Sequence, residues 1–145
     1  MRRAAVAFLQ QDAELRPRLS LLLSIPGIGE ISALHLRGEP AVPAPSPTVR
    51  QWVAHSGLDP AHHQSGSSVQ KRSRISRAGN RFRRRALYMP ALLAAHHDPH
   101  LRAFYQALVT RHKAKLQAII AVARKMLHAI FGMFRWQSPY DAPVR

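Results

Sequence analysis

Cysteine is absent from the chain, which excludes disulfides and zinc–thiolate sites and leaves the redox compartment open. Acidic residues are almost as scarce. Asp+Glu number 7 against 22 for Lys+Arg, a net charge of +15 with a pI near 11.8. Such an excess of one sign favours nucleic acid over acidic proteins or a membrane as partner, and a chain that seeks DNA is expected in the cytoplasm. Long apolar runs are missing too. The most apolar stretch, 119–134, is interrupted by Arg124, Lys125 and His128, so nothing reaches the ~20 apolar residues of a spanning helix. The N-terminus does not read as a signal peptide, because Arg2-Arg3 and a short apolar run give way to Gln10-Gln11-Asp12 without a small-residue cleavage site. Nor is there an internal repeat, or an alternating apolar–polar run long enough for a significant sheet. What remains, 145 residues of which 46% are hydrophobic, suits one all-α domain whose core buries roughly two-thirds of the unfolded surface.

Pattern and punctuation place the helices. Residues 4–23 are mostly helix-compatible, with Val6, Leu9, Ala13 and Leu15 near one stripe, and Pro17 is expected to break that helix near Arg16. Two apolar helical segments then flank a tight turn, Pro26-Gly27-Ile28-Gly29. Prolines at 40, 43, 45 and 47 remove too many backbone donors for a helix, making 38–47 an extended connector. Thr48 can cap a short helix with Val49, Trp52 and Val53 on one face, closed by Gly57 after Ser56. Residues 58–79 read as a long basic loop. Asn80 can cap the next helix, with Phe82, Ala86, Met89 and Leu93 as its buried stripe, Arg81, Arg84 and Arg85 on the wet side and Pro90 as a kink. Helices over 101–110 and 113–134 follow, the second with Leu116, Ile120, Ala123, Leu127, Ile130 and Phe134 inward, and then a polar tail.

No carboxylate lies between Asp59 and Asp98, and inside that gap residues 71–85 hold 8 basic residues in 15. Guanidinium groups this crowded repel one another unless a polyanion neutralises them, which a phosphate backbone does with release of counterions. Lys71, Arg72, Arg74, Arg77, Arg81, Arg84 and Arg85, spaced by Gly79 and Asn80, therefore read as a DNA-binding segment that includes Asn80; a solvated charged face is the alternative. Pro26, Gly27, Ile28 and Gly29 resemble the hairpin of helix-hairpin-helix modules, in which glycines let N–H groups of the following helix grip a phosphate. A plain helix–helix turn would look the same. Trp52, Phe82 and Tyr88 fall on apolar stripes and are expected in the core. His62-His63 and His96-His97-x-x-His100 have only Asp98 as an acidic neighbour, and adjacent histidines on a helix diverge by ~100°, so no metal ligands are assigned. Upstream of the basic run, Gln64-Ser65-Gly66-Ser67-Ser68 is either a linker or the carrier of a nucleophile, since a serine hydroxyl beside arginines can attack phosphorus once its proton is taken.

One ordered set of motifs carries more than its parts: Ser24-Ile25-Pro26-Gly27-Ile28-Gly29, Trp52-Val53-Ala54-x-x-Gly57-Leu58-x-Pro60, Gln64-Ser65-Gly66, Arg74-Ile75-Ser76-x-x-Gly79-Asn80, Ala86-Leu87-Tyr88-Met89 and Ala121-Val122-Ala123-Arg124-Lys125-Met126-Leu127. In that order and spacing it closely resembles the C-terminal domain of the IS-one-ten family of insertion-sequence transposases, which includes pilin-gene DNA invertases, over roughly Leu21 to Tyr140. The resemblance implies a recombinase that works with an N-terminal RuvC-like nuclease domain bearing four acidic metal ligands and with a guide RNA encoded in the element. It also implies a C-terminal serine that attacks the DNA phosphodiester, which by the Gln-Ser-Gly motif is Ser65. Three departures stand out: the nuclease domain is missing, residues 41–47 are unusually proline-rich, and Arg83 occupies a position where an apolar residue is expected. Seven scattered acidic residues cannot rebuild the magnesium site.

The expectation is thus a transposase C-terminal domain over 21–140, with 1–20 as the helical tail of a missing N-terminal region and 141–145 as a tail. Ser65 is its prospective catalytic residue. The chain itself needs no cofactor, magnesium belonging only to the missing domain; it is expected to be inactive alone, to bind DNA and a guide RNA but no membrane, and to be a homo-oligomer at full length. A standalone helix-hairpin-helix-like nucleic-acid-binding protein without catalysis is the alternative. A third reading is an assembly module in which 113–134 packs against partner subunits.

Overall fold

The computed structural model describes residues 4, 7–8, 11–13, 15–38, 48–58, 60–61, 74–75, 79–111 and 113–141. Among them the helices run α1 (Leu15–Leu23), α2 (Glu30–Gly38), α3 (Val49–His55), α4 (Arg81–His97), α5 (Pro99–Thr110) and α6 (Lys115–Trp136). Between α3 and α4 lies a two-residue antiparallel pair, β1 (Pro60–Ala61) with β2 (Arg74–Ile75), in the register Pro60↔Ile75 and Ala61↔Arg74. The class is all-α, as the patterning predicts; the strand pair is too short to alter it. The proline-rich connector over 39–47 lies outside the described residues.

Pro17 starts a helix instead of breaking one. It sits in the first turn of α1, where a backbone N–H has no intrahelical acceptor and its loss costs nothing. Asp12 secures that end, its Oδ1 accepting from Leu15 N at 3.2 Å. The caps of α3 follow the sequence: Thr48 Oγ1 accepts from Gln51 N at 3.3 Å and Gln51 Oε1 accepts from Thr48 N at 2.8 Å, a reciprocal capping box. Gly57 closes the helix at φ 66°. Asp98 caps α5, with Oδ1 accepting from Leu101 N at 2.8 Å and Pro99 in the first turn, so α5 begins two residues before the expected Leu101.

The buried stripe of α4 is not the expected one. Arg83, Ala86, Leu87, Pro90, Ala91, Ala94 and Ala95 face inward, whereas Phe82, Met89 and Leu93 stand 52%, 54% and 42% exposed. Four alanines in that stripe let the neighbouring helices approach closely, which larger side chains would prevent. The helix is continuous through Pro90.

Against this small-residue face packs α6, which buries Ala118, Ile119, Val122, Ala123, Met126, Leu127, Ile130 and Met133. The expected stripe is partly displaced, with Leu116 59% exposed. By length and composition α6 could cross a membrane, with a best window of mean hydropathy 1.3; here it is the central core helix, in one cluster with Leu22 and Ile25 of the α1–α2 hairpin, Val53 of α3 and Leu87 of α4. Each such fully buried side chain contributes ~1.5–3 kcal/mol, so the core ties the hairpin, α3 and α4 into one frame.

Candidate nucleic-acid interface

Two features that the sequence singles out meet on α4, one at its N-terminus and one along its second half. At its N-terminus the long loop leaves α3 and returns. Asn80 N donates to His55 O at 2.9 Å, and Asn80 Oδ1 caps α4 by accepting from Phe82 N at 2.8 Å and Arg83 N at 3.3 Å. Gly79, at φ +129°, lies so close to the outgoing chain that an added Cβ would stand 2.6 Å from Gly57 N. The glycine read as a spacer is the crossing point of the loop's two ends. Beyond it the β1–β2 pair joins the outgoing and returning chain for two more residues, Pro60–Ala61 with Arg74–Ile75; residues 62–73 lie outside the described residues.

Of the residues assigned to DNA, Asn80, Arg81, Arg84 and Arg85 gather at this root, and Arg74 returns to it through its backbone in β2. Ser65, Lys71, Arg72 and Arg77 lie outside the described residues. Arg81 and Arg85 are exposed, Arg84 is half-buried and Arg83 is buried. The Arg83 guanidinium lies 5.7 Å from the centroid of Trp52, whose ring is itself packed against Phe131 and Phe134 at 5.8 and 6.4 Å. The cation where an apolar residue was expected is thus part of the core of this corner, and Trp52 is a core residue as predicted. Phe82 and Tyr88 are not: they are 52% and 39% exposed.

Towards the other end of α4 sits the hairpin. Gly27 adopts φ +90°, and a Cβ there would be 2.8 Å from the carbonyl oxygen of Pro90 and 3.2 Å from Leu93 Cβ, so this glycine serves close packing of the turn onto α4. Ile25 and Ile28 are buried beneath it, and Ile28 N donates to Ile25 O at 3.1 Å. Gly29 is different: a Cβ there would meet nothing within 4 Å. The donors left for a phosphate are those of the first turn of α2, where Glu30 already supplies a negative charge. From Arg81 to Pro90, where the hairpin packs, the rise along α4 is about 14 Å.

The C-terminal segment braces the hairpin, a contact no local pattern announces. Tyr140 N donates to Ser24 Oγ at 2.9 Å, and its hydroxyl donates to Oδ2 of buried Asp98 at 3.2 Å. Burial first, then the Asp98 charge and hydrogen bond, push the Tyr140 hydroxyl up to about 12. The folded state therefore holds this proton more tightly than the unfolded chain, whose tyrosine titrates near ~10. Stability from this group is complete below pH ~10 and is lost as pH rises towards about 12. Chemical denaturation of the wild type and Tyr140→Phe across that window should show the wild type losing its advantage; parallel profiles would remove Tyr140 from the account.

Residues 19–106 match the model of the family described as Transposase IS116/IS110/IS902. The chain is 36% identical over 132 residues to the pilin gene-inverting protein of Moraxella bovis, covering 90% of this chain and 41% of the relative. It is 30% identical over 141 residues to the 43.6 kDa protein of insertion element IS110 from Streptomyces coelicolor, covering 97% of this chain and 35% of that one. The chain thus spans about two fifths of the length of the curated relatives it matches. With the hairpin, the capped α3 and the whole of α4 inside the matched region, the chain belongs to the transposase IS116/IS110/IS902 family.

Proposed function

We propose that residues 21–140 form the DNA-binding, C-terminal part of a serine-dependent insertion-sequence transposase or DNA invertase, with Ser65 as nucleophile and the 71–85 segment as phosphate clamp. The observation that carries this reading is the closed root of the loop. Pairing of Ala61 with Arg74 ties the serine's end of the excursion to its arginine-rich end, and four extended residues keep Ser65 within ~14 Å of Ala61. A nucleophile and the cations that would stabilise its phosphorane therefore share one anchor.

In the proposed step Ser65 Oγ attacks a DNA phosphorus and loses its proton as the new O–P bond forms. The P–O bond to the departing strand breaks, and that oxygen leaves as a hydroxyl after taking up a proton. The phosphodiester count is unchanged, so the step is reversible and needs no external energy source. The arginines act on the charge of the pentacoordinate phosphorus, where electrostatic stabilisation gives most. Among the described residues no group of three or more His, Asp or Glu side chains is placed to hold a metal; in this reading magnesium belongs to the RuvC-like nuclease domain. The reading takes DNA, an element-encoded guide RNA and further copies of the full-length protein as partners, in the cytoplasm.

A binding module without chemistry is the second reading, favoured by the hairpin turn. A covalent protein–DNA adduct separates the two, and salt-sensitive DNA binding separates both from an assembly module. The hairpin has its own test. Gly29→Val enters open space and should cost less than ~1 kcal/mol of stability, while Gly27→Ala combines a positive φ with a backbone clash and should cost about 2–4 kcal/mol, lowering Tm on the order of 10 °C. If backbone donors beside Gly29 hold a phosphate, Gly29→Val weakens DNA binding several-fold with Tm nearly unchanged. Normal binding by that variant would make the turn a helix connector only.

A further inference from the structure

The outer face of α4 carries apolar side chains that phosphate binding does not use. Phe82, Met89 and Leu93 project from it 52%, 54% and 42% exposed, and exposed Arg81 and Arg85 stand among them. The Arg81 guanidinium lies over the Phe82 ring, 5.0 Å from its centroid. No acidic residue occurs on this helix or anywhere between Asp59 and Asp98.

Exposed apolar groups of this size mark a binding face, and the interleaved charge selects the occupant. A second copy docked face to face would set arginine against arginine. A duplex offers phosphates, but its base faces are stacked away, so it leaves the ring exposed. Only unpaired nucleic acid presents an aromatic face and a phosphate within one nucleotide. We propose that this face of α4 takes unpaired DNA bases, with the Phe82 ring, backed by Arg81, as stacking platform and Arg85 on a neighbouring phosphate. This rests on the DNA reading above and deepens it: strand cleavage and exchange expose unpaired bases beside the nucleophile, and here lies a surface to hold them.

The test uses the full chain and fluorescence anisotropy with a labelled 20-nucleotide DNA strand, its duplex, and an RNA strand of the same sequence. Stacking on one aromatic ring has a value of roughly five- to a hundredfold in affinity. Phe82→Ala and Phe82→Leu should each bind the DNA strand about tenfold more weakly and the duplex within about twofold of wild type. Melting temperatures should match, because the ring is half in solvent. Three results overturn the inference while leaving the DNA reading intact: an unchanged ratio of single-strand to duplex affinity, full affinity in Phe82→Leu, or a loss confined to RNA. Failure of the wild type to bind any of the three probes overturns both.

Discussion

Replacing Arg81 and Arg85 together by Glu is expected to abolish DNA binding by this chain at 150 mM salt while leaving its helix content and melting temperature in place. Both side chains are exposed at the root of the loop, so reversal would remove the two proposed phosphate contacts and add two repulsions without disturbing packing. Arg83 and Arg84 are unsuited to the same test. Arg83 is buried against Trp52 and Arg84 is half-buried, and a carboxylate at either place would confound binding with folding. If the segment neutralises about six phosphates, log K for the wild type falls with log salt at a slope of about −5, roughly a thousandfold between 50 and 200 mM. The double reversal should flatten that slope by about two units and lower affinity on the order of a hundredfold or more. Anisotropy titrations over that salt range, paired with thermal melts, read both quantities. Wild-type affinity in the reversed protein would show that the charge is only a solvated face.

What the sequence made legible was local. The Thr48 cap, Gly57 after Ser56 and Asn80 before α4 are readable because a cap is satisfied within four residues, whatever the rest of the chain does; the reciprocal Gln51 bond is what the structure adds. Pro17 misled because a proline reads as a stop unless the helix start is known. The face of α4 was misread for a more instructive reason. Phe82, Met89 and Leu93 are larger than the alanines that share the helix, so hydrophobicity alone marks the wrong stripe as buried; close helix packing wants the small one. Even Arg83, the apparent flaw in the pattern, was a clue to the true face, since it lies on the stripe with Leu87, Ala91 and Ala94. The candidate site divides in the same way. Its residue types were visible in the charge run, whereas its anchor was not: the β1–β2 pair is too short to leave a periodicity, and the Gly57–Gly79 crossing and the Tyr140 bonds to Ser24 and Asp98 join residues far apart in sequence.

That anchor gives the second large prediction its shape: with a family nuclease domain and guide RNA supplied, the chain should form a covalent adduct with element-end DNA, and Ser65→Ala should eliminate it. Ser67 and Ser68 are two and three residues further along the same excursion, so composition cannot choose among the hydroxyls. The choice of Ser65 rests on the Gln64-Ser65-Gly66 context, in which the following glycine has no side chain to obstruct an approaching phosphorus, and on the pairing that returns Arg74 beside Ala61. A hydroxyl that forms the bond is irreplaceable, so the effect is loss of the adduct and not a fraction of it. Ser67→Ala and Ser68→Ala should keep wild-type yields, and all three variants should keep wild-type DNA affinity and salt slope, because the proposal gives none of these serines a phosphate contact in the bound state. Denaturing gels of labelled DNA, with protease treatment to confirm the protein link, read the adduct directly. Adduct persisting in Ser65→Ala and vanishing in Ser67→Ala or Ser68→Ala would move the nucleophile along the loop; adduct persisting in all three would return the serines to a linker, leaving the arginine clamp as the whole of the site.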